Sequence, residues 1–97
     1  MTVELRDQGF PAFYAEAPVV TVYDPLARFL GAARQGLIEY RYADVVRLAG
    51  HSCPTVAGAY LMALHGLRAL YGTETPVRGD VEVFMRDAPG SGVTGVI

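Results

Sequence analysis

The stretch Pro54–Tyr71 constrains the fold more than any other part of this chain. Proline favours the first position of a helix and glycine the position just past its end, so Cys53-Pro54 and Gly72 bracket one continuous helix. At about 100° per residue, Val56, Tyr60, Ala63, Leu64, Leu67, Leu70 and Tyr71 fall on one broad face, the expected core side. The opposite side carries Gly58, Leu61, Met62, His65 and Ala69 and is also mostly apolar. A helix of this kind is expected to be covered on both sides, by its own sheet and by a second apolar surface.

The remaining elements follow from local signals. Residues 1–16, with Gly9, Pro11 and mixed polarity, read as an irregular N-terminal arm. Val19–Tyr23 is β-branched and aromatic and predicts a short strand. Asp24-Pro25 then supplies an N-cap and a helix start, with Leu26, Phe29, Leu30 and Ala33 at helical spacing up to Gly36. Ile38, Tyr40 and Tyr42 share one face of a strand or extended connector. Asp44 is read as the cap of a short helix through Ala49, with Gly50 as its left-handed stop. Asp80–Arg86 alternates again, with Val81, Val83 and Met85 on one face, and predicts a strand that Ala88–Gly92 breaks. Val93–Ile97 opens a further apolar segment, so part of the domain is expected to lie beyond Ile97. The whole is a single α+β domain over residues 1–97: a small mixed sheet packed on a long buried helix.

Composition narrows the function classes. With 97 residues, 52% apolar and 19% charged, the chain is unusually apolar for a domain that buries only ~60–65% of its unfolded surface. Some apolar surface is therefore expected to meet a second copy, and a homodimer is the simplest form, with Leu61, Met62 and Ala69 near the partner. The net charge is −2, and all 8 basic residues are scattered arginines, so no basic stripe exists for nucleic acid. No apolar run reaches the ~18–20 residues of a membrane span, and the acidic Met1–Gln8 start lacks the basic region of a signal peptide. A cytoplasmic location is expected. Without lysine, Schiff-base chemistry through a lysine is excluded, and with 1 cysteine so is an internal disulfide.

That cysteine lies in the one segment suggestive of chemistry, Gly50-His51-Ser52-Cys53-Pro54. As N-cap of the long helix, Cys53 faces unpaired backbone N–H groups and the positive end of the helix dipole, which ease thiolate formation. His51, two residues earlier in a loop hinged by Gly50, can reach the same ion. Soft sulfur with borderline nitrogen suits zinc, nickel, copper or iron rather than magnesium or calcium. Two donors fill only half of a tetrahedral shell, so water, another residue of the chain or a second copy has to supply the rest. Asp87, a carboxylate beside glycine-rich turns, is the candidate third ligand.

Gly50-His51-Ser52-Cys53-Pro54 followed by Val56-Ala57-Gly58-Ala59-Tyr60 resembles the core signature of the FmdE family of formylmethanofuran dehydrogenase components, His-Gly-His-x-Cys-Pro-Gly and then a Gly-Tyr helix. The similarity runs from about Tyr42 to Ile97, and its specific part lies between Gly50 and Tyr60. It implies an FmdE-like α+β core, often an intertwined homodimer, with a His/Cys site for zinc or nickel that maps onto His51 and Cys53. It also implies an accessory component rather than a catalytic one. Ala49 stands where the family has its first histidine, and Thr55 where it has the glycine after proline. Where many members carry a cysteine and an aspartate after the final strand, this chain offers Asp87, Ser91 and Thr94.

Other motifs carry less. His65 lies ~18 Å along the helix from Cys53 and cannot share its metal within one chain; core or interface hydrogen bonding is its expected role. Arg78-Gly79-Asp80 reads as a turn rather than an adhesion tripeptide. Cys53-Pro54 also matches a short element of haem-sensing proteins. The glycines near 90–95 follow no phosphate-binding pattern, so no nucleotide site is expected. The sequence thus points to a metal-binding accessory or sensor domain. The alternatives are a small enzyme using the Cys53 thiolate or its metal on a small molecule, and a structural homodimer with an inert cysteine.

Overall fold

The computed structural model describes residues 9–90 and 92–97; Met1–Gln8, the acidic start noted above, and Ser91 lie outside the described residues. The architecture is α+β, and its sheet is a two-stranded antiparallel one formed by β1 (Val20–Tyr23) and β2 (Leu37–Tyr40), in the register Val20↔Tyr40 to Tyr23↔Leu37. A single parallel bridge, Tyr23↔Val77, is the one mixed feature that accompanies it among the described residues.

The connection between the strands starts as its sequence suggests. Asp24 caps α1 (Pro25–Phe29), one carboxylate oxygen accepting from the N–H groups of Leu26 and Ala27 at 3.0 and 3.1 Å. Its other oxygen accepts from Arg78 at 2.8 Å, tying the turn to the segment after the long helix. The helix stops at Phe29, well before Gly36, and Leu26, Phe29 and Leu30 remain exposed, so their helical spacing marks no buried face. A short 3-10 turn at Arg34–Gly36 leads into β2. Gly36, at φ 75°, is required there because a Cβ would lie 2.8 Å from the Tyr23 ring and 2.9 Å from the Asp24 carbonyl oxygen.

Tyr42 is part neither of a strand nor of an extended connector, the two readings its spacing allows: β2 ends at Tyr40 and α2 spans Tyr42–Ala49. Nor is Asp44 the cap. Arg41 is, and Asp44 sits in the first turn, its carboxylate accepting the Arg41 N–H at 2.8 Å, the returning half of a capping box. Gly50 closes α2 in the left-handed region at φ 84°. Cys53 then caps α3 (Pro54–Tyr71), with proline in its first turn.

Tyr42, Val46, Val56 and Tyr60 form the buried centre between α2 and α3. The described part of the arm, from Gly9 onward, carries regular structure that its composition does not suggest. A 3-10 turn at Ala12–Glu16 brings Tyr14 edge-on to Tyr42, with centroids 5.0 Å apart, and Tyr42 meets Tyr60 in the same way at 5.5 Å. The Tyr60 hydroxyl donates to the Pro18 carbonyl, with the Tyr40 carbonyl 3.2 Å away, so α3 grips the end of the sheet where β1 begins and β2 finishes.

Along α3, Val56, Ala59, Tyr60 and Leu64 are buried, whereas Leu70 is 69% exposed and the side with Leu61, Met62, His65 and Ala69 faces outward. Within one chain the helix is covered on one side and toward its N-terminal half. Arg78-Gly79-Asp80 is a turn, as expected, with the Asp80 N–H on the Val77 carbonyl. Asp80–Arg86 forms no strand: its alternation is real, but among the described residues no strand lies beside it, and a strand needs a neighbour to bond. The segment instead borders an apolar groove of about 400 Å³ against α3, lined by Met62, Leu67, Leu70, Val83, Phe84 and Met85. The apolar end folds as α4 (Gly92–Val96), which packs on α3 and brings Val96 against the core.

Candidate functional site

The Gly50–Cys53 loop links two helices that meet at the aromatic core. The left-handed Gly50 turns the chain out of α2, and extended backbone at Cys53 (φ −154°, ψ 171°) feeds it into α3. Cys53 is half-buried, packed at the margin of the Tyr42–Tyr60 cluster. Its thiol pKa is drawn below the ordinary value. The backbone N–H of Val56 contributes most, burial opposes it, and the His51 imidazole and the Thr55 N–H add to the lowering. None of the N–H contacts is close and straight enough to form a side-chain cap bond, so they act on the sulfur as oriented dipoles.

His51 is exposed, with Nδ1 at 3.2 Å from the Ala49 carbonyl oxygen. Donation from Nδ1–H to that carbonyl leaves Nε2 with its lone pair, the form in which imidazole binds a metal. The loop's third anchor is Ser52, whose hydroxyl is 2.6 Å from the hydroxyl of buried Tyr42. Spacing could not reveal this pair: ten positions separate the two residues, and the contact depends on Tyr42 opening a helix rather than closing a strand.

Two of the three residues singled out as ligands are therefore brought together. Asp87 is exposed and lines an open cleft with Val83, Phe84, Met85, Pro89 and Thr94. Among the described residues no group of three or more His, Cys, Asp or Glu side chains is placed to hold a metal ion, so Asp87 does not complete a three-donor set with His51 and Cys53. Thr94 is half-buried on α4, and Ser91 lies outside the described residues. His65 is exposed on the outer side of α3.

No protein-family profile, no curated protein and no solved structure matches this chain. Among the described residues no helix is long and apolar enough to cross a membrane.

Proposed function

We propose that this chain is a metal-binding domain of the FmdE-like accessory or sensor kind, with Cys53 and His51 as donors to zinc or nickel. The observation that carries the reading is the pairing of imidazole and half-buried thiol at the start of α3, with the thiol pKa lowered by both the helix N–H groups and the ring. A thiolate and a neutral imidazole fit a soft or borderline ion, and they fill half of a tetrahedral shell. A bound metal would supply Lewis acidity, or a charge that a partner can sense. The chain's own contribution is to lower the thiol pKa, keep Nε2 available and fix the loop. In this reading the remaining positions go to water or to a second copy, with Asp87 of that copy as one candidate. The exposed Leu61, Met62 and Ala69 side of α3 supports a homodimer. The reducing cytoplasm fits a thiol that has to stay free.

Zinc and nickel titrations with elemental analysis test the proposal: both Cys53→Ala and His51→Ala should lose most of the bound metal. Stoichiometric metal in Cys53→Ala would refute it. Light scattering at micromolar concentration should give the mass of a dimer, and a monodisperse monomer would remove the partner from the scheme.

A second reading, a thiolate acting directly on a small molecule, is favoured by the missing third donor among the described residues. Alkylation separates the two. Protection of Cys53 only when zinc or nickel is present supports ligation, whereas fast alkylation that neither metal slows supports thiol chemistry, and slow alkylation throughout marks an inert cysteine.

A further inference from the structure

We infer that the Tyr42–Ser52 hydrogen bond is a positioning contact that fixes the Gly50–Cys53 loop and so sets the imidazole of His51 against the sulfur of Cys53. The inference deepens the metal-site reading and rests on it. The loop carries both donors, yet His51 is exposed and its Nδ1 reaches only a carbonyl of the preceding helix, and Ser52 is exposed as well. What joins the middle of the loop to the core is the 2.6 Å contact between the Ser52 and Tyr42 hydroxyls. Tyr42 suits this task because it cannot move freely. It is 8% exposed, and its ring is held edge-on by Tyr14 on one side and Tyr60 on the other, at 5.0 and 5.5 Å. Its hydroxyl is thus a fixed point at the edge of an aromatic stack, and Ser52, directly between the two donors in sequence, takes its place from that point. With the contact removed, the loop is held only through its ends, at Ala49 and Cys53 on the margin of the core, and its middle has to be ordered at the moment of binding. That ordering cost lowers affinity even though neither donor is altered.

The test uses nickel and cobalt titrations of the full chain, read by the thiolate-to-metal charge-transfer band. Tyr42→Phe keeps the ring and its stacking while removing the hydroxyl; Ser52→Ala removes the other half, and Ser52→Thr restores a hydroxyl. Each of the first two variants should weaken binding on the order of 3- to 10-fold, the worth of one such bond. The double variant should be no weaker than either single one, because only one bond is lost. Ser52→Thr should bind like the wild type. Wild-type affinity in both Tyr42→Phe and Ser52→Ala, or losses that simply add in the double variant, would overturn the inference. If the wild-type protein binds neither metal, the metal reading fails on its own, and the alkylation rate of Cys53 at neutral pH still decides this one. It should change in Tyr42→Phe and Ser52→Ala and return in Ser52→Thr, and an unchanged rate in all three would overturn the inference.

Discussion

Tyr60→Phe removes one oxygen atom, and its effect can be worked out from what that atom holds. The Tyr60 ring is 6% exposed and stacks on Tyr42, and phenylalanine preserves that packing. The hydroxyl donates to the Pro18 carbonyl just before β1 and lies 3.2 Å from the Tyr40 carbonyl at the end of β2. One donor on α3 therefore clamps the Val20↔Tyr40 end of a sheet that has only two strands. A net hydrogen bond contributes about 1 kcal/mol, and a buried acceptor left unpaired costs about 1–3 kcal/mol. Pro18 is exposed and Tyr40 half-buried, so water can reach the freed carbonyls in part. The expected loss is then about 1.5 kcal/mol, toward the lower end of that range. In a domain of this size it corresponds to a fall in Tm of roughly 6–12 °C.

Urea unfolding followed by circular dichroism measures this directly, with a lower midpoint and an unchanged slope as the expected result. Burial raises the Tyr60 pKa above its ordinary value, and the nearby Asp44 charge adds to the shift. For a group whose folded pKa is raised, the contribution is complete below the unfolded value near 10 and is lost as pH rises through the folded one. The gap between wild type and Tyr60→Phe should accordingly close in strong alkali. Equal midpoints at neutral pH would refute the reasoning, since the hydroxyl would then be no clamp.

Three further outcomes follow from other parts of the chain. The Arg78 guanidinium, followed by the Ala27 N–H, holds the Asp24 carboxyl below its usual range; its stabilising effect is present above the unfolded value and lost as pH falls through the folded one, so Arg78→Ala should move the acid-unfolding midpoint to higher pH. Gly36→Ala forces a left-handed residue with its Cβ against the Tyr23 ring and the Asp24 carbonyl, and chemical denaturation should register a loss of about 2 kcal/mol or more. His65→Ala, on the exposed side of α3, should leave both metal content and Cys53 alkylation rate unchanged.

The elements readable from the sequence were those whose cause lies within a few residues. Asp24-Pro25 and Cys53-Pro54 start α1 and α3, and Gly50 and Gly72 close α2 and α3, because caps and positive-φ stops are local chemistry. The same locality made His51 and Cys53 readable as a pair, since a short loop leaves them little room to separate. Periodicity was weaker wherever it needed a partner. Ile38, Tyr40 and Tyr42 repeat at strand spacing, but alternation cannot say where a strand ends, and the Asp44 contact with the Arg41 N–H begins the helix one turn earlier. Val81, Val83 and Met85 alternate as a buried strand would, yet a strand also requires backbone partners, which no property of its own residues supplies.

The loop's anchor is hidden from the sequence because it depends on Tyr42 opening α2. As a strand residue, Tyr42 would have had its direction set by the sheet, and nothing would have aimed its hydroxyl at Ser52. As the first residue of α2, it is carried into the aromatic stack, and the chain returning through Gly50 meets it there. His51 and Cys53 are thus written two residues apart, whereas the Tyr42–Ser52 contact exists only after two helices and the Ala12–Glu16 turn have packed. Substitutions judged by distance along the chain would pass over Tyr42 and treat Ser52 as a spacer. Judged by packing, both belong with His51 and Cys53, and any variant series that tests the proposed metal site has to include them.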